Sequence, residues 1–333
     1  MSVLRSPDLA DAATPPERRG LARDEVRMLV TPLAGGRSEH ARFRELPRFL
    51  RAGDLVVVNA SATLPAALEA RRESGEPIPV HVSTRIDECL WLAEPRGAVR
   101  AGETLSLPGG ARAVVLAPVA ADTPRVWYAA FDLPEPMEAF LRRYGAPIRY
   151  GYVAEPFPIG DYQTIFAREP GSSEMPSAGR PFSLRVLDAL ERAGVGVAHV
   201  ILHCGVSSYE APERPSIERF AVPAETAVAV NAARARGGRV IAVGTTVVRA
   251  LESALLNGSV VAASGWTALV VERDYRLRTA DGLLSGFHAG DSTHRWILEA
   301  FAGETGLNAA YAEAADLGYL RHEFGDVHLL LPR

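Results

Sequence analysis

The stretch RVIAVGTTVVRALESALLNG, residues 239–258, reads as a buried strand, a Gly-Thr-Thr turn and an amphipathic helix. Val240 to Val243 form a short apolar run, and Val247, Leu251, Ala254 and Leu255 recur at helical spacing on one face. Asn257-Gly258 reads as the helix stop. Gly244 lets the chain turn sharply, while Thr245 and Thr246 bring hydroxyls and free backbone N–H groups to the start of the helix. A helix N-terminus at the end of a strand favours an anion, a carboxylate or a phosphate. The further glycines of a dinucleotide fingerprint and the lysine of a phosphate loop are both missing.

Outward from this unit the same style repeats. Upstream of it, Ser183 reads as the N-cap of SLRVLDALERAG with Gly194 as its stop, VGVAHVIL as a strand, and ETAVAVNAARARGG as the helix leading into residue 239. Near the start of the chain, FRELPRFL and DLVVVNA give another helix and strand. Between these α/β parts, Pro77 to Phe131 carries short apolar and β-branched runs separated by Gly and Pro turns, the pattern of a small barrel. The fold expected is an α/β main domain built from both ends of the chain, residues 1–68 and 151–333. A small antiparallel β-barrel domain, residues 69–150, is inserted into it.

Composition narrows the chemistry. The chain has 333 residues, 47% of them hydrophobic, enough for a sizeable core. All 36 basic residues are arginine, which excludes Schiff-base enzymes and lysine-bearing phosphate loops. The formal charge of −4 argues against a protein that coats nucleic acid, leaving a local patch such as residues 42–51, either a phosphate grip or a solvated face. Cys89 and Cys204 form no CxxC pair, so neither a disulfide framework nor a thiolate zinc site is indicated. No run approaches the roughly 20 apolar residues of a membrane span, and no signal peptide is recognisable. A cytoplasmic, monomeric protein is expected.

Further candidates sit at predicted element ends. YQTIFAREPGSSEMPSAGRPF, residues 162–182, is a long loop rich in Gly, Pro and Ser, of the kind that often carries function. LHCGVSS, residues 202–208, puts His203 at a strand end with Gly205 two positions later, and DGLLSGFHAGDST, residues 281–293, does the same with His288. Histidines there serve structure or a ligand. His288 and His294 lack HExxH spacing, and no GxSxG elbow occurs.

In order along the chain, YQTIFA, GSSEMPSAGRPF, LHCG, VGTTVVRALESA, DGLLSGFH followed by ST, AFAG and FGD resemble the motif series of the S-adenosylmethionine:tRNA ribosyltransferase-isomerase (QueA) family. GDLVVVNASATLPAAL, residues 53–68, is similar to that family's GDLLVFNDTRVIPARL, and the resemblance runs from about Phe43 to Leu330. It implies the same fold, an α/β domain with an inserted barrel. It also implies transfer and isomerisation of the ribosyl moiety of S-adenosylmethionine onto a 7-aminomethyl-7-deazaguanine base in tRNA. The products would be epoxyqueuosine-tRNA, adenine and methionine, with S-adenosylmethionine as co-substrate and no metal.

Such a reaction needs a base for the C5′ protons beside the sulfonium, an acid for departing adenine, and donors for negative charge on ribose oxygens. Carried onto this sequence, Gly244, Thr245 and Thr246 with Arg249 are candidates for the methionine carboxylate or a nearby anion. His203 and His288 are the candidate acid and base, with Glu252 or Glu218 as orienting or charge-balancing carboxylates. Tyr162 and Gln163, with Pro176, Ser177, Ala178 and Gly179, would line the nucleoside pocket, and Gly205 belongs with His203. The chain departs from the family at Ala62 and Ala67, where the family has arginines, at Arg180 and Pro181 in place of leucine and histidine, and at Glu213 and Ser216 in place of a histidine pair. These changes fall on the acceptor side. Two alternatives therefore stand beside the tRNA reaction: the same chemistry on a small-molecule acceptor, and a non-catalytic protein that binds an adenosyl ligand.

Overall fold

Strand Val240–Val243, buried at every residue, lies at the centre of a nine-stranded sheet. The computed structural model describes residues 9–120, 125–153, 155–206, 216–288, 290 and 292–332. Leu55–Asn59 and Gly282–Gly286 flank the central strand in parallel, and Gly196–Leu202 lies parallel beyond Leu55–Asn59. Antiparallel Glu218–Val222 and Ala263–Thr267 extend one side. On the other side come Val327–Leu331, antiparallel to Gly282–Gly286, then Arg27–Pro32 and Glu39–Arg42.

Both faces of the central strands are covered, which is why they read as continuous apolar runs. Val57 and Ala242 pack with Val247, Val248 and Leu251 of helix Thr245–Ser253 on one face. Val56, Val58, Ile241 and Val243 pack with Phe43, Leu46, Phe182, Val186 and Leu190 on the other, because successive strand residues point to opposite faces. At the start of the two innermost strands a buried clamp fixes the register. Arg239 donates Nε to Asp54 Oδ2 at 3.0 Å and its backbone N–H to Oδ1 at 2.9 Å.

The expected barrel is present. Strands Ala67–Arg71, Pro77–Arg85, Leu90–Pro95, Thr104–Ser106, Arg112–Pro118 and Trp127–Asp132 close antiparallel on themselves. Leu68, Val80, Trp91 and Phe131 fill the interior, and helix Met137–Tyr144 seals it with Phe140 and Leu141.

Two local readings change. Asn257-Gly258 is no helix stop: the helix ends at Ser253, and the pair turns a hairpin between Leu255–Leu256 and Ser259–Val260. Both turn residues take positive φ, 49° and 83°, the conformation that favours Asn-Gly in tight hairpins. FRELPRFL winds as a 3-10 helix, Phe43–Phe49, with Pro47 inside it, whose ring would clash with the i−4 carbonyl of an α-helix. The arginines of residues 42–51 lie on its exposed side, with Arg44 paired to Glu25 at 2.8 Å and Arg48 to Glu45 at 3.0 Å. That is the solvated-face arrangement.

His328, in the interior strand, is fully buried; its Nε2 lies 2.9 Å from Thr31 Oγ1 and burial pushes its pKa down to about 3. The unfolded chain binds this proton below about pH 6.5 and the fold does not, so the stability contribution is full above that pH and is lost as pH falls toward 3. Replacing His328→Leu is expected to remove about 2 kcal/mol of the stability loss between pH 7 and pH 5, read as a shallower fall in Tm. Equal slopes for variant and wild type would contradict this.

Candidate active site

The four parallel strands end along one edge of the sheet, and the residues that follow them gather there: His203 after Leu202, Ser61 after Asn59, Gly244-Thr245-Thr246 after Val243, and His288 after Gly286. This is where open α/β sheets collect ligands. The buried Asn59 side chain joins three of these ends. Its Oδ1 accepts from Leu202 N at 3.1 Å and Ser61 N at 3.0 Å, while Nδ2 donates to Leu202 O at 2.8 Å and Thr246 Oγ1 at 3.3 Å. Gly244 turns at φ 94°, and a Cβ there would lie 3.4 Å from Ala178 Cβ, so the 3-10 turn Ser177–Gly179 rests directly on the Gly-Thr-Thr turn.

His203 is wedged against the backbone of Gly171, where a Cβ would come within 2.5 Å of its Nδ1. Its Nδ1 lies 2.8 Å from Ser61 Oγ, and Nε2 is 3.8 Å from Glu169. Burial lowers its pKa, against the opposing pull of Glu169. His288 places Nε2 2.9 Å from Ser285 Oγ and stacks on His294 with ring centroids 5.0 Å apart. Its pKa is held well below the usual histidine value, by burial first and then by His294, His322 and Arg295. Both candidate histidines are therefore neutral imidazoles at neutral pH.

Glu218, Arg249 and Gly205 meet as one group. Glu218 Oε1 accepts from Gly205 N at 2.8 Å and its Oε2 pairs with Arg249 Nη1. Arg249 Nε donates to Leu269 O at 2.9 Å, and its buried Nη2 has no partner among the described residues. Glu252 stands apart: its carboxylate accepts from Arg278 N, Thr279 N, Thr279 Oγ1 and Tyr275 OH at 2.7–3.1 Å, anchoring the 275–279 loop. Gln163 uses its amide on the backbone of Thr63, at 3.0 and 2.7 Å. Tyr162 is buried against Phe324, and burial raises its phenol to about 12.

Beside His288, a cleft is lined by Ser177, Arg180, Gly286, His322, Glu323 and Phe324. Tyr152 stacks on His322 and donates its hydroxyl to Glu323, a carboxyl whose pKa burial raises. Sequence reasoning named neither Ser61 nor Asn59 as functional. The signal was a lone polar residue ending the apolar run LVVVN. Ser207, Ser208, Glu213, Ala289 and Asp291 lie outside the described residues.

The family model described as "Queuosine biosynthesis protein" matches residues 6–330. The chain belongs to the queuosine biosynthesis protein family. Among curated relatives of this queuosine family, proteins named S-adenosylmethionine:tRNA ribosyltransferase-isomerase are 37% identical in Moorella thermoacetica, covering 93% of this chain and 94% of that one. One of the same name in Thermus thermophilus is 35% identical, covering 93% of each. A solved structure of the queuosine family, S-adenosylmethionine tRNA ribosyltransferase from Thermotoga maritima, is 28% identical with a TM-score of 0.55, covering 97% of this chain and 98% of that one. Arg180, which replaces a leucine of the resemblance, is buried: its Nη2 is 2.9 Å from Glu17, its Nε donates to Asp161 O, and its guanidinium lies over Phe324.

Removing the Arg249 side chain would leave Glu218 buried beside Gly205 without its counter-charge. Arg249→Leu is expected to cost roughly 3–5 kcal/mol in urea unfolding, with most of it recovered in Arg249→Leu/Glu218→Leu. A double variant as unstable as the single one would contradict the pairing.

Proposed function

We propose that the protein transfers and isomerises the ribosyl moiety of S-adenosylmethionine onto the 7-aminomethyl-7-deazaguanine base of tRNA, releasing adenine and methionine. The observation that carries this is the extent of the similarity. Relatives named S-adenosylmethionine:tRNA ribosyltransferase-isomerase match at 35–38% identity over more than nine-tenths of this chain, so sheet and barrel are both included. The geometry adds a single edge on which the motif-bearing strand ends converge.

In this reading the Gly244-Thr245-Thr246 turn takes the methionine carboxylate at a helix N-terminus, with Arg249 Nη2, which has no partner among the described residues, as a nearby donor. Glu218 balances the remaining charge on Arg249. Neutral His288 is suited to accept a C5′ proton, which the adjacent sulfonium acidifies. Ser177, Ala178 and Gly179, resting on the turn, would wall the nucleoside together with Pro176 and Tyr162. The assignment keeps Gln163 and Glu252 as supports, because their polar atoms already serve the backbone of Thr63 and the 275–279 loop.

Purified protein incubated with S-adenosylmethionine is expected to release adenine and methionine in equal amounts only when tRNA carrying the aminomethyl-deazaguanine base is present, as read by chromatography. Release without tRNA would assign the same chemistry to a small-molecule acceptor. Release in neither case would overturn the reading.

A further inference from the structure

The proton positions around His203 follow from counting donors and acceptors. Cys204 N donates to Ser172 Oγ at 2.9 Å; Ser172 Oγ lies 2.6 Å from Ser61 Oγ, and Ser61 Oγ lies 2.8 Å from His203 Nδ1. Ser172 is fully buried; among the described residues its hydroxyl has Ser61 Oγ as its close oxygen acceptor, and the Cys204 thiol beside it is only a weak one. That hydroxyl therefore points at Ser61, whose own proton must then point at His203 Nδ1. The ring accepts at Nδ1 and carries its hydrogen on Nε2. Turning the chain round, as a proton on Nδ1 requires, would make Ser172 Oγ accept from both Ser61 and Cys204. Its own proton would be left in a buried place with only the weakly accepting Cys204 thiol, a poor exchange for an oxygen.

The far side of the ring is open to use. The His203 side chain is 15% exposed, and Glu169 Oε1, at 3.8 Å from Nε2, is beyond hydrogen-bond reach. The Gly171 backbone, pressed against Nδ1, fixes the ring plane. The charged groups that act on the ring are Glu169, Glu218 and Arg219, and burial outweighs them to keep the imidazole neutral.

We propose that His203 works as a neutral hydrogen-bond donor through Nε2–H, aimed at an oxygen of the substrate that gains negative charge, with Ser61 and Ser172 as the positioning residues that fix its tautomer. It then neither takes nor surrenders a proton, which leaves acid and base duties to other groups. The substrate half of this inference rests on the ribosyl-transfer reading; the tautomer does not.

The test separates the two. Full-length protein labelled with 15N-histidine is examined by long-range 1H–15N NMR at pH 7 without substrate, the His203 signals being identified by their loss in His203→Gln. A ring protonated at Nε2 and bare at Nδ1 is expected. Ser61→Thr, which keeps the hydroxyl, is expected to preserve that pattern, and Ser61→Ala and Ser172→Ala to give a mixture of tautomers. In turnover, His203→Gln, whose amide N–H occupies nearly the position of Nε2–H, is expected to keep at least tenfold more kcat than His203→Ala. A wild-type proton on Nδ1 overturns the proposed tautomer, and a Gln variant no better than Ala overturns the donor role. If no acceptor supports turnover while the Nε2–H tautomer is found, the reaction assignment fails and the tautomer stands.

Discussion

Asn59 makes all its side-chain hydrogen bonds inside the sheet edge, two to Leu202, one to Ser61 N and one to Thr246 Oγ1. A buried amide is costly unless each of its groups is paired, and here the pairing itself fixes three strand ends relative to one another. The Gly-Thr-Thr turn, the Ser61 segment and the strand leading to His203 are held in register by this one residue. At the opposite end of the same strands, Asp54 and Arg239 perform the equivalent task with charge. The apolar residues between these two clamps supply burial, which is non-directional. The clamps supply the directions.

Much of the fold was legible because it rests on local rules. Ser183 accepts from Val186 N as an N-cap should, Gly194 takes φ 71° at the helix stop, and the barrel strands follow their Gly and Pro punctuation. Misreadings arose where two local rules use the same residues. Asn-Gly ends helices and also turns hairpins, and which it does at 257–258 depends on whether Leu255–Leu256 finds a partner strand. The candidate site was legible as a set of strand ends but not as a set of roles. Arg249 and Glu252 occupy the same short helix, yet one meets Glu218 from a distant strand and the other meets the 275–279 loop. Such partners are set by tertiary packing, which periodicity does not encode.

The absence of lysine shapes the buried electrostatics. A guanidinium is planar and offers five donors, so one side chain can pair with a carboxylate and still satisfy carbonyls around it. Arg239 bonds Asp54 and also Phe49 O and Pro332 O; Arg249 bonds Glu218 and Leu269 O; Arg180 bonds Glu17 and Asp161 O. Each joins segments far apart in the chain. Buried pairs of this kind add little net stability over apolar packing, and their geometric demands favour one arrangement over others.

The strand Val327–Leu331 lies inside the sheet, between Gly282–Gly286 and Arg27–Pro32, and Asp326 just before it receives Arg27 N at 2.7 Å across 299 residues of sequence. During synthesis the barrel can close early, since its pairings lie within one continuous segment. The strands Arg27–Pro32 and Glu39–Arg42 join the rest of the sheet only through Val327–Leu331, about 300 residues later, so that pairing must wait for those residues to leave the ribosome. Until then Arg27–Pro32 lacks the neighbour that covers its inner edge in the finished sheet, and an open strand edge is one on which chains associate wrongly. Glu39, Arg44, Glu45 and Arg48 place charge in and beside these two strands, and charge at an open strand edge disfavours such association.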